Sequence, residues 1–369
     1  MRTPLLVVTG VDATAMDAAV LALSLDLPGV VVVRHRIDPV TQVLTRTVSD
    51  ASGHLETAHV ELEHACVDCA LREDVLPTIE HLARAGRWDA VVSCLPVASE
   101  ADQVSAVLEH DTRLARHVRL ASVVAALGGE VDAGGEDVVE DLLCDDDLAD
   151  RGLQTGPDDD RGLGEVACAQ VELADVTVLT GGSGPQLAAL VGALARPEAM
   201  LVTGCAELDA GALLAGRHDH EAAVAWMLPT DDEPLAEPSA EQTGEARAWR
   251  RVLVSHRPFH PERLVDDIES LGCGRWRARG CFWVATRPGD LGEWSGAGGQ
   301  LSIGTWQRWG ARTPLTRLVY TGVGEPPAGL EEAFERMLVT PEEGLLGTGS
   351  WRVAEDGLEP WLGEITDVA

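Results

Sequence analysis

Val30 to Val33 are four consecutive valines. A run that is apolar at every position sits as a strand only where both of its faces are covered, which is the environment of a parallel sheet packed between helices. Residues 3–9 form a second apolar strand that ends at Thr9-Gly10, and Val11 to Leu25 between the two strands reads as a helix. The alternation continues through a strand at Trp88 to Ser93, a helix at 100–110 and a strand at 118–126. Order resumes at Glu165 to Glu172, and the strand Val176 to Leu179, a helix at Pro185 to Leu194 and the strand Met200 to Val202 follow. The pattern predicts an α/β fold with a mostly parallel sheet and helices on both faces. Residues 41–49 and 55–63 alternate instead, like a hairpin or strand pair.

Two segments break this rhythm. Residues 128–160 hold thirteen acidic residues against one arginine; we read 128–163 as a solvated, partly disordered insertion, with a docking site for a basic partner as the sharper reading. Residues 229–246 carry three prolines and six acids, and we place a linker at 229–249. The expected organisation is a first domain at 1–228 and a second at 250–369. Nine of the ten tryptophans lie after residue 225, so the smaller domain is expected to be built on a tryptophan-rich core.

At the end of the alternating stretch stand Cys66-Val67-Asp68-Cys69, followed by a helical pattern from Asp74 to Arg84 with Val75, Leu76, Ile79 and Leu82 on one face. The thiols therefore fall on a strand-to-helix turn, where helix-start amides or a bound cation would lower their pKa values. C-x-x-C spacing by itself is shared by redox pairs, zinc sites and chance. Cys94, Cys168 and Cys205 sit among apolar residues and read as core cysteines. His54 and His59 read as solvated strand residues, and His218 and His220 as surface residues.

Net charge is −33 and the pI is near 4.5. That balance disfavours a nucleic-acid surface, whose footprint is basic, and an anionic membrane, and suits basic partners or cations. No apolar run approaches a membrane span. The eight cysteines lack disulfide-framework spacing, so a reducing cytoplasm is expected. The chain has no lysine and no asparagine; all 28 basic residues are arginine. Any mechanism that needs a lysine or asparagine side chain is closed to it.

The order of these pieces resembles the CobW family, P-loop GTPase-fold metallochaperones with a small α/β C-terminal domain. Cys66-Val67-Asp68-Cys69-Ala70-Leu71-Arg72 is similar to the family's C-x-C-C-x-L-R metal motif. Ala174-Asp175-Val176-Thr177-Val178-Leu179 is similar to its ADVIVLNK strand, with Gln170 and Glu172 placed as in the family. Arg257-Pro258-Phe259-His260-Pro261 and Arg277-Ala278-Arg279-Gly280 with Phe282-Trp283 resemble its C-terminal domain. The resemblance implies zinc as the metal. Cys66, Asp68 and Cys69 would supply three ligands, and His64, or else His59, a fourth. Strand alternation favours His64, which shares a face with Val60 and Leu62.

Departures from the family pattern carry as much weight. The G-x-x-G-x-G-K-T loop would fall on Gly10 to Asp17, where only Gly10 and Thr14 remain as weak phosphate-loop candidates; Ala15 replaces a glycine and Met16 replaces lysine. The N-K-x-D that reads guanine would fall on Thr180-Gly181-Gly182-Ser183, and the E-x-T-G segment on Ser93 to Ala98. Asp12 and Asp17 would set negative charge beside a triphosphate. One such pair about 4 Å apart costs roughly 1 to 4 kcal/mol. GTP is therefore not an expected cofactor, and no catalytic residue is assigned. The chain resembles an actinobacterial branch of the family associated with low zinc, in which the protein recruits a ribosome hibernation factor to the small subunit. The expected partner is accordingly such a factor or a small-subunit protein, without direct nucleic-acid or membrane contact. A GTP-dependent zinc metallochaperone is the alternative, and a metal buffer or sensor without a partner a third reading.

Overall fold

The computed structural model describes residues 2–62, 64, 66–128, 136–156, 159–181, 184–235, 238, 247–345 and 351–365. An eight-stranded sheet carries the order β4-β3-β2-β5-β1-β6-β7-β8. Its strands are β1 (Thr3–Thr9), β2 (Val30–Asp38), β3 (Val43–Asp50), β4 (Gly53–Glu61), β5 (Ala90–Cys94), β6 (Val118–Leu127), β7 (Val176–Leu179) and β8 (Met200–Thr203). From β2 to β8 every pairing is parallel; β3 and β4 add an antiparallel edge, the strand pair expected from their alternation.

The apolar strands divide their side chains between two layers. Leu5, Val7, Val31 and Val33 face helices α2 (Val67–Ala70), α3 (Leu76–Ala85) and α4 (Asp102–His110). Leu6, Val8, Val30 and Val32 face α1 (Ala13–Asp26) and, later in the chain, α8 (Ala210–Ala215). The four valines are buried on both sides, as a period of two in a covered strand requires.

The acidic stretch is more ordered than its composition suggests. Its described part contains α5 (Glu136–Leu143), whose Val138, Val139, Leu142 and Leu143 are buried against α6 (Leu163–Leu173) and α7 (Pro185–Leu194). Apolar residues at 138, 139, 142 and 143 have helical spacing, and that face outweighs the repulsion among the acids on the other. Asp141 and Asp146 both pair with Arg151. Residues 129–135 and 157–158 of that expectation lie outside the described residues.

A five-stranded antiparallel sheet, order β12-β11-β10-β13-β9, forms the second layer system. It comprises β9 (Ala248–Ser255), β10 (Arg277–Val284), β11 (Arg287–Ala297), β12 (Gln300–Arg308) and β13 (Thr316–Val323). Helices α10 (Pro261–Asp267), α11 (Glu269–Gly272), α12 (Leu330–Met337) and α14 (Glu359–Leu362) pack on one face, while α13 (Pro341–Gly344) follows α12. The core there is aromatic as expected: Trp249, Phe259, Phe282, Trp294 and Tyr320 are buried together. Trp306 and Trp361, however, are 47% and 53% exposed. The β11–β12 turn passes against α5. Gly298 has φ +67°, and a Cβ there would lie 1.7 Å from the Cys144 carbonyl oxygen, so only glycine fits.

A buried ionic group joins the two sheets. Glu172, at the end of α6, is fully buried and accepts from Arg277 Nε at 3.0 Å and Nη2 at 2.9 Å. Arg279 Nε lies 3.2 Å from the same carboxylate. Arg279 also donates to the Trp226 carbonyl of α9 (His220–Met227) and lies 4.6 Å over the Trp226 ring. The start of the expected linker is tied down too. Arg317 donates to the carbonyls of Asp231 and Glu233, and Cys281 Sγ donates to that of Pro229. Residues 236, 237 and 239–246 lie outside the described residues.

Replacing Glu172 by glutamine leaves two buried guanidinium groups without their counter-charge. Glu172→Gln is expected to lower unfolding stability by roughly 3 to 5 kcal/mol, read as a drop in the urea midpoint.

Candidate functional site

The cysteine turn is built by the end of β4. Leu62 is buried beneath it, and the Cys66 amide donates to the His64 carbonyl at 2.9 Å. Cys66 is the N-cap of α2: its φ of −138° and ψ of 158° are extended, and its Sγ accepts from the Cys69 amide at 3.3 Å. Cys66 is half-buried and Cys69 is buried. The structure thus brings the two thiols together. The expectation of lowered thiol pKa values is not met at Cys69. A hydrogen bond with Cys66, burial and the Cys66 charge push its thiol up, against the pull of the His64 backbone.

The other expected ligands are placed differently. Asp68 Oδ1 accepts from Gln103 Nε2 of α4 at 2.6 Å, so this carboxylate is turned to the neighbouring helix. His64 is exposed. His59 contacts Thr45 Oγ1 at 3.2 Å and His54 contacts Thr57 Oγ1 at 3.3 Å, both on the exposed edge. Among the described residues, no group of three or more His, Cys, Asp or Glu side chains is placed to hold a metal ion. The thiol pair suits a thiophilic cation, but Asp68 would have to leave Gln103 to join it.

Beneath the thiols lies a group that sequence reasoning missed. The helical run from α2 to α3 passes through a single π-helical segment, Leu71–Val75. Such a segment widens one turn and re-aims its side chains. Asp74 in that segment is 5% exposed and accepts from His35 Nε2 at 3.0 Å and from Arg46 Nη1. Arg46 also donates to Thr78 Oγ1 at 3.0 Å and to Glu56 at 2.6 Å. The cysteine helix is thereby pinned to β2, β3 and β4. Burial pushes the Asp74 carboxyl up, but the His35 hydrogen bond and the His35 and Arg46 charges outweigh it and hold it below the usual carboxylate range. The signal was present: His35 follows Val31 and Val33 at a period of two, and so falls on a buried face.

The Gly10 to Asp17 loop connects β1 to α1. Asp12 caps the helix, its Oδ1 accepting from the Thr14 amide at 2.7 Å and the Ala15 amide at 3.0 Å. Helix-start amides of this kind are what an anionic ligand uses; here the chain's own carboxylate engages them. A Cβ at Gly128 would stand 2.5 Å from Asp12 Oδ2, so the glycine makes room for that cap. Ala15 and Met16 are buried and Thr14 is exposed. Asp17 departs from expectation. It is paired with Arg34 at 3.1 Å and Arg36 at 2.8 Å, so β2 neutralises it and the repulsion expected from it is largely offset.

The remaining candidates sort by burial. Cys94 and Cys168 are core residues, and burial pushes the Cys94 thiol up to about 12. Cys205 is only half-buried, in a short 3-10 turn. Thr180 donates to the Leu127 carbonyl at 3.1 Å; Gly182 and Ser183 lie outside the described residues. His218, expected at the surface, is 5% exposed and bonds Asp175 Oδ2 at 2.9 Å. Asp175 also holds Arg196 and the Val123 amide, and that buried ion group draws the histidine inward. His220 is half-buried, its Nδ1 2.6 Å from Ser105 Oγ. Among the described residues no helix is long and apolar enough to cross a membrane.

Comparison with known proteins places these features. Residues 249–338 match the family profile described as the cobalamin synthesis protein cobW C-terminal domain. The zinc chaperone Rv0106 of Mycobacterium tuberculosis is 30% identical over 336 residues, 87% of this chain and 77% of that protein. Zinc-regulated GTPase metalloprotein activator 1 of Dictyostelium discoideum is 26% identical over 287 residues, 72% of this chain and 57% of that protein. The crystal structure of zinc-bound YjiA GTPase from E. coli covers 92% of this chain and 100% of its own at 14% identity, with a TM-score of 0.37. That score is too low to lay one site on the other.

The Asp74 group predicts an acid-sensitive anchor. Its stabilising effect is complete above the unfolded carboxylate pKa of about 3.9 and is lost as pH falls through the lower folded value. Asp74→Asn is expected to cost roughly 1.5 to 3 kcal/mol near neutral pH. That difference from the wild type should shrink in acid, checked by urea unfolding at several pH values.

Proposed function

Because the chain belongs to the CobW family, we propose that it is a zinc-responsive protein whose phosphate loop no longer holds nucleotide. Under zinc limitation it recruits a protein partner, a ribosome hibernation factor or a small-subunit protein. The observation that carries this reading is the Asp12 cap: its carboxylate takes the Thr14 and Ala15 amides. A triphosphate would have to displace that carboxylate and lie beside its charge. It would also find no lysine anywhere in the chain. Arginine offers a broad fork in place of a point charge, and Arg34 and Arg36 are engaged by Asp17.

Zinc is the cation the reading requires, and it is supported by the thiol pair and by the name of the mycobacterial relative, a zinc chaperone. The Cys66 and Cys69 thiolates would hold it, with Asp68 and His64 as further donors after Asp68 exchanges Gln103 for the ion. A basic protein partner is favoured by the net charge of −33. The second reading, a GTP-dependent zinc metallochaperone, draws on the name of the Dictyostelium relative, zinc-regulated GTPase metalloprotein activator 1.

Three measurements test these readings. Calorimetry with magnesium-GTP should give no binding heat at micromolar protein, and micromolar affinity would favour the metallochaperone. Zinc titration should show Cys66→Ser and Cys69→Ser each weakening affinity by more than about tenfold; equal affinity in variants and wild type would remove the thiols from the site. A pull-down from zinc-starved cells that recovers no hibernation factor or ribosomal protein would end the recruitment reading.

A further inference from the structure

A cavity of about 700 Å³ lies between α4, α6 and α9 on one side and β10, β11 and β12 on the other. That volume is in the range of small-molecule sites, and neither the thiols nor the phosphate loop line it. Four carboxyl groups do: Glu100 and Asp102 before and at the start of α4, Glu165 on α6 and Glu293 on β11. The cations among them are already engaged. Arg277 and Arg279 share Glu172, and Arg161 Nη1 lies 3.6 Å from Glu100 while also binding Asp159. His110 and His220 complete the titratable lining.

Glu100 and Glu293 are held against their charge. Burial, with Asp102 and Glu165 adding repulsion, pushes Glu100 up to about 8 against the pull of Arg161 and Arg277. Burial, with Glu165 and Asp102 again adding, pushes Glu293 up to about 7 against Arg277. A cation arriving among them would favour their ionised forms and release protons.

Arg279 makes the opposite demand. It lines the cavity, is 2% exposed, and its Nη2 has no hydrogen-bond partner. A buried donor left unmade is costly, and an acceptor oxygen would relieve it. Met227 and Leu228 give an apolar wall, and Trp306, 47% exposed, also lines the cavity. A metal ion fits poorly, because the described residues place no three His, Cys, Asp or Glu side chains together for one.

We propose that this cavity binds a small organic cation that also carries a carboxylate or carbonyl oxygen, the chemistry of a free basic amino acid or of an arginine within a peptide. The cationic head lies among Glu100, Glu165 and Glu293, the oxygen meets Arg279 Nη2, and the aliphatic stem runs along Met227 and Leu228 with Trp306 beside the cation.

Calorimetry on the full chain tests this with three probes: L-arginine, the blocked peptide acetyl-Gly-Arg-Gly-amide, and agmatine, which has the guanidinium but no carboxyl group. Binding by arginine alone identifies a free amino acid, and binding by the peptide identifies a peptide segment; either supports the proposal. Agmatine should bind several-fold more weakly than the better of the two. Affinity should fall by about tenfold or more between about pH 8.5 and about pH 6, as Glu100 and Glu293 take up protons. The double variant Glu100→Gln with Glu293→Gln should abolish binding, and its melting temperature checks folding, since glutamine resembles the neutral acid that burial favours. Trp306→Ala, at a half-exposed ring, should weaken binding several-fold. No binding by arginine or peptide, agmatine binding equally well, or unchanged affinity in the double variant would overturn the proposal.

Discussion

The structure depends on the carboxylate of Glu172 and the two guanidinium groups that close over it. Taking such charges out of water costs several kcal/mol each, repaid only when geometry is good and the remaining donors are satisfied. Here Arg277 supplies a two-pronged contact at 2.9 and 3.0 Å and Arg279 a third at 3.2 Å. The two arginines are two residues apart on β10, so the pleat turns both to the same face. A planar fork suits this arrangement in a way that a lysine ammonium does not. The group sets the antiparallel sheet against α6 and α9 and so creates the cavity between them.

A second theme is how the chain spends its acids. A net charge of −33 suggests an open negative field, yet several carboxylates at the decisive places face inward to chain partners. Asp12 caps α1, Asp17 is held by Arg34 and Arg36, Asp74 ties the cysteine helix to three strands, and Asp175 gathers His218 and Arg196. In the cavity this neutralisation is incomplete: Arg161 lies 3.6 Å from Glu100, yet burial and neighbouring carboxyls still push Glu100 and Glu293 up. The thiols show the same economy of contact. Cys66 caps the helix that carries Cys69, so the pair is held by local backbone geometry, while Asp68 and His64 are not.

Much of the fold was legible in the residues. The valine run and the apolar segments around it required a covered parallel sheet, alternation at 41–63 gave the antiparallel edge, and the cysteines stood at a strand-to-helix turn, because each signal is local and repeats with the period of its element. Burial of α5 was partly legible, since Val138, Val139, Leu142 and Leu143 have helical spacing, but composition pointed the other way. His218 was misplaced at the surface because its partner, Asp175, is 43 residues away in sequence.

The sequence by itself determined the layered α/β class, the thiol spacing, and the absence of any lysine or asparagine for a phosphate or guanine site. Only the tertiary structure decided that Asp12 turns back onto its own helix, that Asp17 is neutralised by β2, that Asp68 faces Gln103, and that four carboxyls from three elements and one connecting loop line one cavity. The first set depends on residue identity and short-range period. The second depends on which side chains meet after distant segments pack, and a linear pattern does not encode those distances.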